Sequence, residues 1–384
     1  MYPGISDLLN DLLGTGFSAH FPPTFGTLVA ISFLFAAWTL RLELQRREKA
    51  GLLQGVAENQ VKGLPASRSE IAWNAFFGFI LGFKIGYAFF RSDAFFADPQ
   101  SALLSLQGHW ASGLIAGAFS GWWRFREGEK QRLPKPVHET VTVFPSDRVG
   151  DFTMMAALGG LIGAKIFHML EYWEDFVRDP IGMFFSGSGL TMYGGLIVGS
   201  VTVLWYARKH AIPLLQLCDA AAPGLMLAYG TGRLGCQLSG DGDWGIENTM
   251  VKPDWMGFLP DWCWSFKYPH NVVGEGIPIP GCEGKYCYEL AVGVFPTPFY
   301  EALACILLFF VLWSLRRHIL SPGRMFSLYL LFNGIERFLI ELIRVNSKYH
   351  FNGFGFTQAQ LISSLLIILG VAGWFRFRTS VHRA

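Results

Sequence analysis

The stretch Gly232-Arg233-Leu234-Gly235-Cys236-Gln237-Leu238-Ser239-Gly240-Asp241-Gly242-Asp243-Trp244-Gly245 closes an apolar segment and holds one arginine, two aspartates and five glycines. A cation at the mouth of a membrane helix is costly unless it meets an anion. The surrounding glycines are expected to let backbone N–H groups approach that anion. A second charged run, Glu336-Arg337-Phe338-Leu339-Ile340-Glu341-Leu342-Ile343-Arg344, lies in another apolar stretch. Arg337, Glu341 and Arg344 share one helical face by their spacing, so they must look into the bundle or a wet cavity. Arg337 is read as an anion ligand oriented by Glu341. Glu336 and Arg344 are read as an ion-pair lattice, with Arg344 near enough to count among the binding residues. Pro296-Thr297-Pro298-Phe299-Tyr300-Glu301 predicts a rigid turn into a helix start, where a carboxylate suits the dipole. Gly189 to Gly195 adds the Tyr193 hydroxyl as a donor and Gly194 as a point of close approach. Two arginines, a tyrosine, glycine-lined backbone and several carboxylates suit phosphate-ester chemistry on a lipid, the arginines stabilising charge on the phosphate as it leaves.

These groups need elements to hold them, and the composition says which kind. The 384 residues are 51% hydrophobic and 16% charged, with 35 Phe and 13 Trp; soluble domains carry about 25% charged residues. Apolar runs near bilayer length number about nine: 24–40, 71–90, 110–123, 152–170, 190–206, 212–234, 298–315, 325–343 and 357–375. The fold class expected is all-α integral membrane, a polytopic helical bundle of about nine spans. Basic clusters follow the odd-numbered runs: Arg41, Arg46, Arg47, Lys49, Lys62 and Arg68; then Arg124, Arg126, Lys130, Arg132 and Lys135; then Arg208 and Lys209; then Arg316 and Arg317; then Arg376, Arg378 and Arg383. The positive-inside rule then puts the amino terminus outside and the carboxyl terminus in the cytoplasm. The first 21 residues lack a basic start and carry Asp7 and Asp11, so no cleavable signal peptide is expected.

The domain reading follows these boundaries: 1–23 an extracytoplasmic segment, 24–70 the first span and a cytoplasmic loop, 71–125 an inserted hairpin, 126–151 a cytoplasmic loop, 152–236 a membrane core, 237–296 a small extracytoplasmic cap rich in Cys, Trp, Pro and Gly, and 297–384 the last spans. Leu81-Gly82-Phe83-Lys84-Ile85 matches Ile162-Gly163-Ala164-Lys165-Ile166, and Ser112 to Gly117 matches Gly194 to Gly199. That steady offset is what duplication of a two-helix hairpin leaves. Lys84 and Lys165 are read as snorkelling or helix-pairing lysines. Cys218 and Cys305 sit inside apolar runs as packing residues. Cys236, Cys263, Cys282 and Cys287 allow one or two disulfides, with three full pairings open.

Other chemistries lack their marks. His168, His270, His318 and His350 are scattered, and no His-Glu-x-x-His or Cys-x-x-Cys pattern suggests a metal. Neither a nucleotide-binding loop nor a basic aromatic face for nucleic acid is present. No cofactor is expected. A phospholipid-binding membrane protein without catalysis and an organic-anion transporter are the two alternative readings.

The residues also resemble a known family, the prolipoprotein diacylglyceryl transferases. Gly232-Arg233-Leu234-Gly235 through Asp241 and Gly245 is similar to its Gly-Arg-x-Gly-Asn-Phe-x-Asn-Gly-Glu signature, with Cys236, Ser239 and Asp241 at the two Asn positions and the Glu position. Asp219-Ala-Ala-Ala-Pro223 is similar to the lead-in, and Tyr300-Glu301-Ala302 to a helix start. Arg337, Glu341 and Arg344 resemble its Arg-x-x-x-Glu-x-x-Arg segment, Phe25-Gly26 its entry, and Leu190 to Gly195 its Gly-pair segment. Tyr193 stands where many members have the His taken as base, and Asn333 where they have a tyrosine. The resemblance implies transfer of the diacylglyceryl group of phosphatidylglycerol to the lipobox cysteine of a prolipoprotein, at a site open to the outer leaflet of the bacterial cytoplasmic membrane. It implies Arg233, Arg337, Tyr193, Asp241 and Glu341 as catalytic residues. For substrate binding it implies Arg233, Gly232, Gly235, Ser239, Gly245, Gly194, Tyr300, Glu301 and Arg344.

Overall fold

The computed structural model describes residues 1–17, 20–91, 95, 102, 105–185, 189–346, 349–351 and 354–378; Arg383 and the His350 side chain lie outside them. The chain divides into two compact units, Met1–Leu53 with Ile212–Ala384, and Gln54–Ala211.

In the first unit a short helix α1 (Ile5–Leu13) precedes α2 (Thr24–Lys49). The second unit holds α3 (Arg68–Phe90), α4 (Trp110–Gln131), α5 (Val149–Glu171) and α6 (Met192–Lys209). The first unit resumes with α7 (Leu214–Ser239), α8 (Thr297–Leu315), α9 (Arg324–Ile340) and α10 (Gln358–Arg376). Each apolar run falls on one of these helices. Among the described residues, five stretches are long and apolar enough to cross a membrane by length and composition: Thr24–Lys49, Arg68–Phe90, Pro145–Glu171, Thr297–Leu315 and Gln358–Arg376. The protein is mostly helical, and the all-α expectation is modified by three two-stranded ribbons. The longest pairs β1 (Val56–Lys62) antiparallel with β2 (Val137–Val143), joining two segments read as loops. In β2, Val137, Val141 and Val143 keep the two-residue period of a strand.

Within the second unit the two matched stretches adopt the same hairpin. A Cβ on Gly82 of α3 would come within 2.4 Å of Ala116 Cβ and 2.6 Å of Ser112 O on α4. Its counterpart Gly163 on α5 would meet Gly194 O of α6 at 2.4 Å and Val198 Cβ at 2.5 Å. Small residues therefore set the helix spacing in both. Lys84 Nζ donates to the carbonyls of Ala102 at 2.7 Å and Gln107 at 2.8 Å, so it ties a loop to its helix.

Within the first unit α7 packs against both α2 and α8, and α9 against α10. The core joins Ala222 and Met226 of α7, Cys305, Phe309 and Leu312 of α8, and Met325 of α9. α7 stops at Gly240, which takes the left-handed conformation (φ 66°) that glycine adopts without penalty. The segment from there to α8 closes on Trp244, Tyr268 and Val294, with β3 (Ile277–Pro278) paired to β4 (Tyr288–Glu289). Of the open pairings, the structure forms Cys282–Cys287, with Cα atoms 5.5 Å apart. Cys236 and Cys263 are buried free thiols, and Cys305 belongs to the core as expected.

Candidate active site

The last three turns of α7, the start of α8 and the segment from Arg337 of α9 to Arg344 just beyond it meet around one carboxylate, Glu301, which is fully buried. Arg233 Nε lies 2.5 Å from Glu301 Oε2, and Tyr229 O–H donates to the same oxygen at 2.8 Å. Arg344 Nη1 donates to Oε1 at 3.0 Å, and Arg337 Nη1 is 3.5 Å from it. A second carboxylate, Asp243, bridges Arg233 and Arg344, the latter at 2.6 Å. Glu341 takes the other side of Arg337 at 2.9 Å and accepts from Asn346 Nδ2 at 2.6 Å. Three arginines are thus held by three carboxylates.

The loop after α7 is pinned by the backbone. Gly245 N–H donates to Phe295 O at 2.9 Å and Ile246 N–H to Ile343 O at 2.8 Å, which brings Asp243 under Arg344. A Cβ at Gly245 would sit 2.6 Å from Ile343 O, so only glycine fits this crossing. Thr297 O–H donates to the Asp243 carbonyl at 2.9 Å and fastens the same loop to α8. Burial opposes ionisation of both aspartates here. Arg233 and Arg344 nonetheless hold the Asp243 carboxyl below the usual carboxylate range. Asp241 is pushed up by burial, and the neighbouring charge of Asp243 adds to the rise.

The cluster keeps hydrogen-bonding capacity in reserve. Arg337 Nη1 and Arg344 Nε are buried without an aligned acceptor among the described residues. The Arg337 side chain is also the most open of the three, 20% exposed against 9% for Arg233 and Arg344. A guanidinium with spare donors at the edge of a buried lattice can take an anion oxygen without dismantling the lattice. Cys236, Asp241 and Asp243 bring possible ligand atoms within 4.8 Å of one another, but Asp243 is already committed to two arginines.

Arg233, Arg337, Glu341, Glu301 and Arg344 therefore converge, with Asp241 on the adjoining loop. Other expected site residues stand differently. Gly232 and Gly235 lie inside α7, where their N–H groups serve the helix and not an anion. The helix runs further than the glycines suggested because it packs against α2, where a Cβ at Gly235 would touch Leu28 and Phe25. Ser239 is buried, its hydroxyl 3.5 Å from the Cys236 carbonyl. Tyr300 donates its hydroxyl to Cys263 O at 2.6 Å, linking α8 to the loop region. Tyr193 is half-buried in the first turn of α6, and Gly194 packs against Gly163 and Phe167 of α5; both belong to the second unit. Glu336 is not in the lattice: neither of its oxygens has a hydrogen-bond partner among the described residues. Its neighbour Arg337 spends its reach on Glu341 and Glu301, which face away from it around the helix. Sequence reasoning missed Tyr229, although its place four residues before Arg233 puts both on one face.

Helices of membrane-crossing length and composition define a helical membrane protein, and its first unit holds a buried arginine–carboxylate cluster. Comparison with known proteins narrows this. Residues 109–376 match the family described as prolipoprotein diacylglyceryl transferase, and the chain belongs to that family. Among its relatives, the phosphatidylglycerol–prolipoprotein diacylglyceryl transferase of Leptospira interrogans is 26% identical over 268 residues, covering 56% of this chain and 75% of that protein. The enzyme of the same name from Shouchella clausii is 29% identical over 231 residues, 60% of this chain and 75% of its own. That of Chromohalobacter salexigens is 28% identical over 282 residues, 72% and 90% respectively.

Proposed function

We propose that this chain transfers the diacylglyceryl group of phosphatidylglycerol to the cysteine thiol of a prolipoprotein lipobox. The product is a thioether, and glycerol phosphate is released. The observation that carries the reading is the arginine cluster with unused donors at Arg337 and Arg344. In the reaction the thiol sulfur attacks the glyceryl carbon bound to the phosphate oxygen. An S–C bond forms as the C–O bond breaks, the electron pair leaves with the phosphate, and the thiol proton passes to a base. Charge builds on the leaving phosphate, and arginines fixed in advance by carboxylates stabilise it without reorganising. Arg233 and Arg337 are assigned that task, with Glu341 orienting Arg337 and Glu301 and Arg344 completing the phosphate end. Asp241, whose hold on a proton is strengthened by burial, is assigned the proton. Tyr193 and Gly194 are assigned to the reaction by the motif resemblance alone, and Tyr193→Phe with unchanged turnover removes the hydroxyl from it.

The same reading places about nine spans in the bacterial cytoplasmic membrane, amino terminus outside and carboxyl terminus in the cytoplasm, with 237–296 as an extracytoplasmic cap that meets the lipobox peptide. Basic residues at the ends of alternate helices support the orientation. The Cys282–Cys287 bond fits a cap in an oxidising compartment. The test is rescue of lipoprotein modification in cells depleted of their own transferase. Rescue that disappears with Arg233→Ala and with Arg337→Ala supports the enzyme; a well-expressed wild-type chain that fails to rescue supports a non-catalytic phospholipid-binding protein instead.

A further inference from the structure

Glu336 is 8% exposed, and both of its carboxyl oxygens lack a hydrogen-bond partner among the described residues. It lines a groove of about 600 Å³ between α8 and α9, whose walls include Tyr300, Ala304, Leu307, Phe332 and Leu339. The volume falls in the range of about 300–1,000 Å³ that holds small ligands. Leu307 and Leu339 on the rim are more than half exposed, so the groove opens sideways from the helix pair.

Two neighbouring pairs connect this groove to the arginine cluster. Glu301 faces the arginines while Tyr300 faces the groove; Arg337 faces the carboxylates while Glu336 faces the groove. Successive helical residues point about 100° apart, so each helix sends one residue of the pair to either side. The groove and the cluster therefore share a wall. An ionised carboxylate buried without a cation costs several kcal/mol, whereas a neutral carboxyl carries an O–H that must find an acceptor. An apolar groove with one such donor fits a ligand that is apolar except for a single carbonyl oxygen.

We propose that this groove seats one acyl chain of the diacylglyceryl lipid, with the Glu336 carboxyl O–H donating to an ester carbonyl of that lipid. The proposal rests on the lipid substrate of the reading above and adds where its chain lies and what its ester meets. The phosphate reaches the arginines on one side of the wall, and the acyl chain runs between α8 and α9 on the other.

The test compares two forms of phosphatidylglycerol with identical chains, one ester-linked and one ether-linked, binding to the purified full chain. The ether lipid lacks the carbonyl. The wild type binds the ester form about 3–10-fold more tightly, the worth of one hydrogen bond. Glu336→Leu removes that preference, and Glu336→Gln, which keeps an N–H donor, retains most of it. Ala304→Phe narrows the groove and weakens both lipids by about 10-fold. Equal wild-type affinities overturn the proposal, as does a preference that survives Glu336→Leu or undiminished binding by Ala304→Phe. It is also overturned if Glu336→Gln behaves as Glu336→Leu, which indicates an ionised carboxylate, or if Glu336→Leu weakens only a lipobox peptide. Binding needs no turnover, so failure of the transfer reaction is read separately from failure of the groove.

Discussion

The first unit contains two buried knots of arginine and carboxylate at opposite ends of the same helices, and they are built for different ends. At one end Glu43 of α2 pairs with Arg46 at 2.7 Å, Arg47 at 2.8 Å and Arg316 at 3.3 Å. Asp219 of α7 stands 3.8 Å from Arg47 and accepts from the N–H groups of Gly323 and Phe326 at 2.7 and 2.8 Å. Glu43, Arg47 and Asp219 are all fully buried. This knot fastens the start of α9 to α7 and α2, and its centre is closed to ligands. At the other end Arg337 keeps an open side and an unfilled donor. Composition does not separate the two knots. Each keeps buried donors without a partner among the described residues, Arg47 Nη2 and Arg316 Nε in the first and Arg337 Nη1 and Arg344 Nε in the second. Access separates them, since Arg47 is fully buried and Arg337 is not.

Five substitutions test that contrast, the strongest expected effect first. Arg47→Ala removes the fully buried cation between Glu43 and Asp219, and breaking such a buried pair costs about 3–5 kcal/mol. The expected outcome is a large fall in thermal stability, with unchanged KM in the fraction that folds; a KM shift would show that the sealed knot is also functional. Arg337→Ala acts mainly on the reaction. It lowers kcat by about 10²–10³-fold, the scale for one lost transition-state donor, with a smaller fall in melting temperature than Arg47→Ala, since Arg337 is the more open arginine.

The two aspartates beside the cluster give the third contrast. Asp243 is held low, so its stabilising contribution is present above the unfolded carboxylate pKa, about 3.9. It is lost only as pH falls through the still lower folded value. Asp241 is raised, so its contribution is complete below that unfolded pKa and is lost as pH rises through the folded value. Thermal melts across pH 3 to 8 should therefore show Asp243→Asn less stable than wild type near neutrality and Asp241→Asn more stable. Equal shifts would remove the distinction. The smallest effect is expected for Tyr300→Phe, which gives up the bond to Cys263 O and about 1 kcal/mol of stability.

Much of the open knot was legible in the sequence, because Arg233, Arg337, Glu341 and Arg344 stand in apolar stretches where charge demands a partner. Their partner Glu301 was marked by its place at a helix start, but nothing in the sequence indicated that it would hold all three arginines. The sealed knot was not legible. Arg46, Arg47 and Arg316 read as ordinary basic residues at helix ends; Glu43 is in local reach of the first two, but Asp219 of α7 and Arg316 after α8 join the knot only after folding. Glu336 misled for the opposite reason: charges in a row suggest a lattice, while the 100° step of the helix turned this one toward the groove. The strands β1 and β2 pair across the whole α3–α4 hairpin, a separation beyond the reach of local pattern.

The most direct measurement incubates purified wild-type chain with phosphatidylglycerol and a lipobox peptide, and follows the peptide by mass spectrometry. A diacylglyceryl adduct is expected on the cysteine, formed by wild type and by the Tyr300→Phe chain, and formed about 10²-fold or more slowly by an Arg337→Ala chain that remains folded. Adduct formation by Arg337→Ala at the wild-type rate, or none by the folded wild type, would contradict the transfer reaction assigned to the arginine cluster.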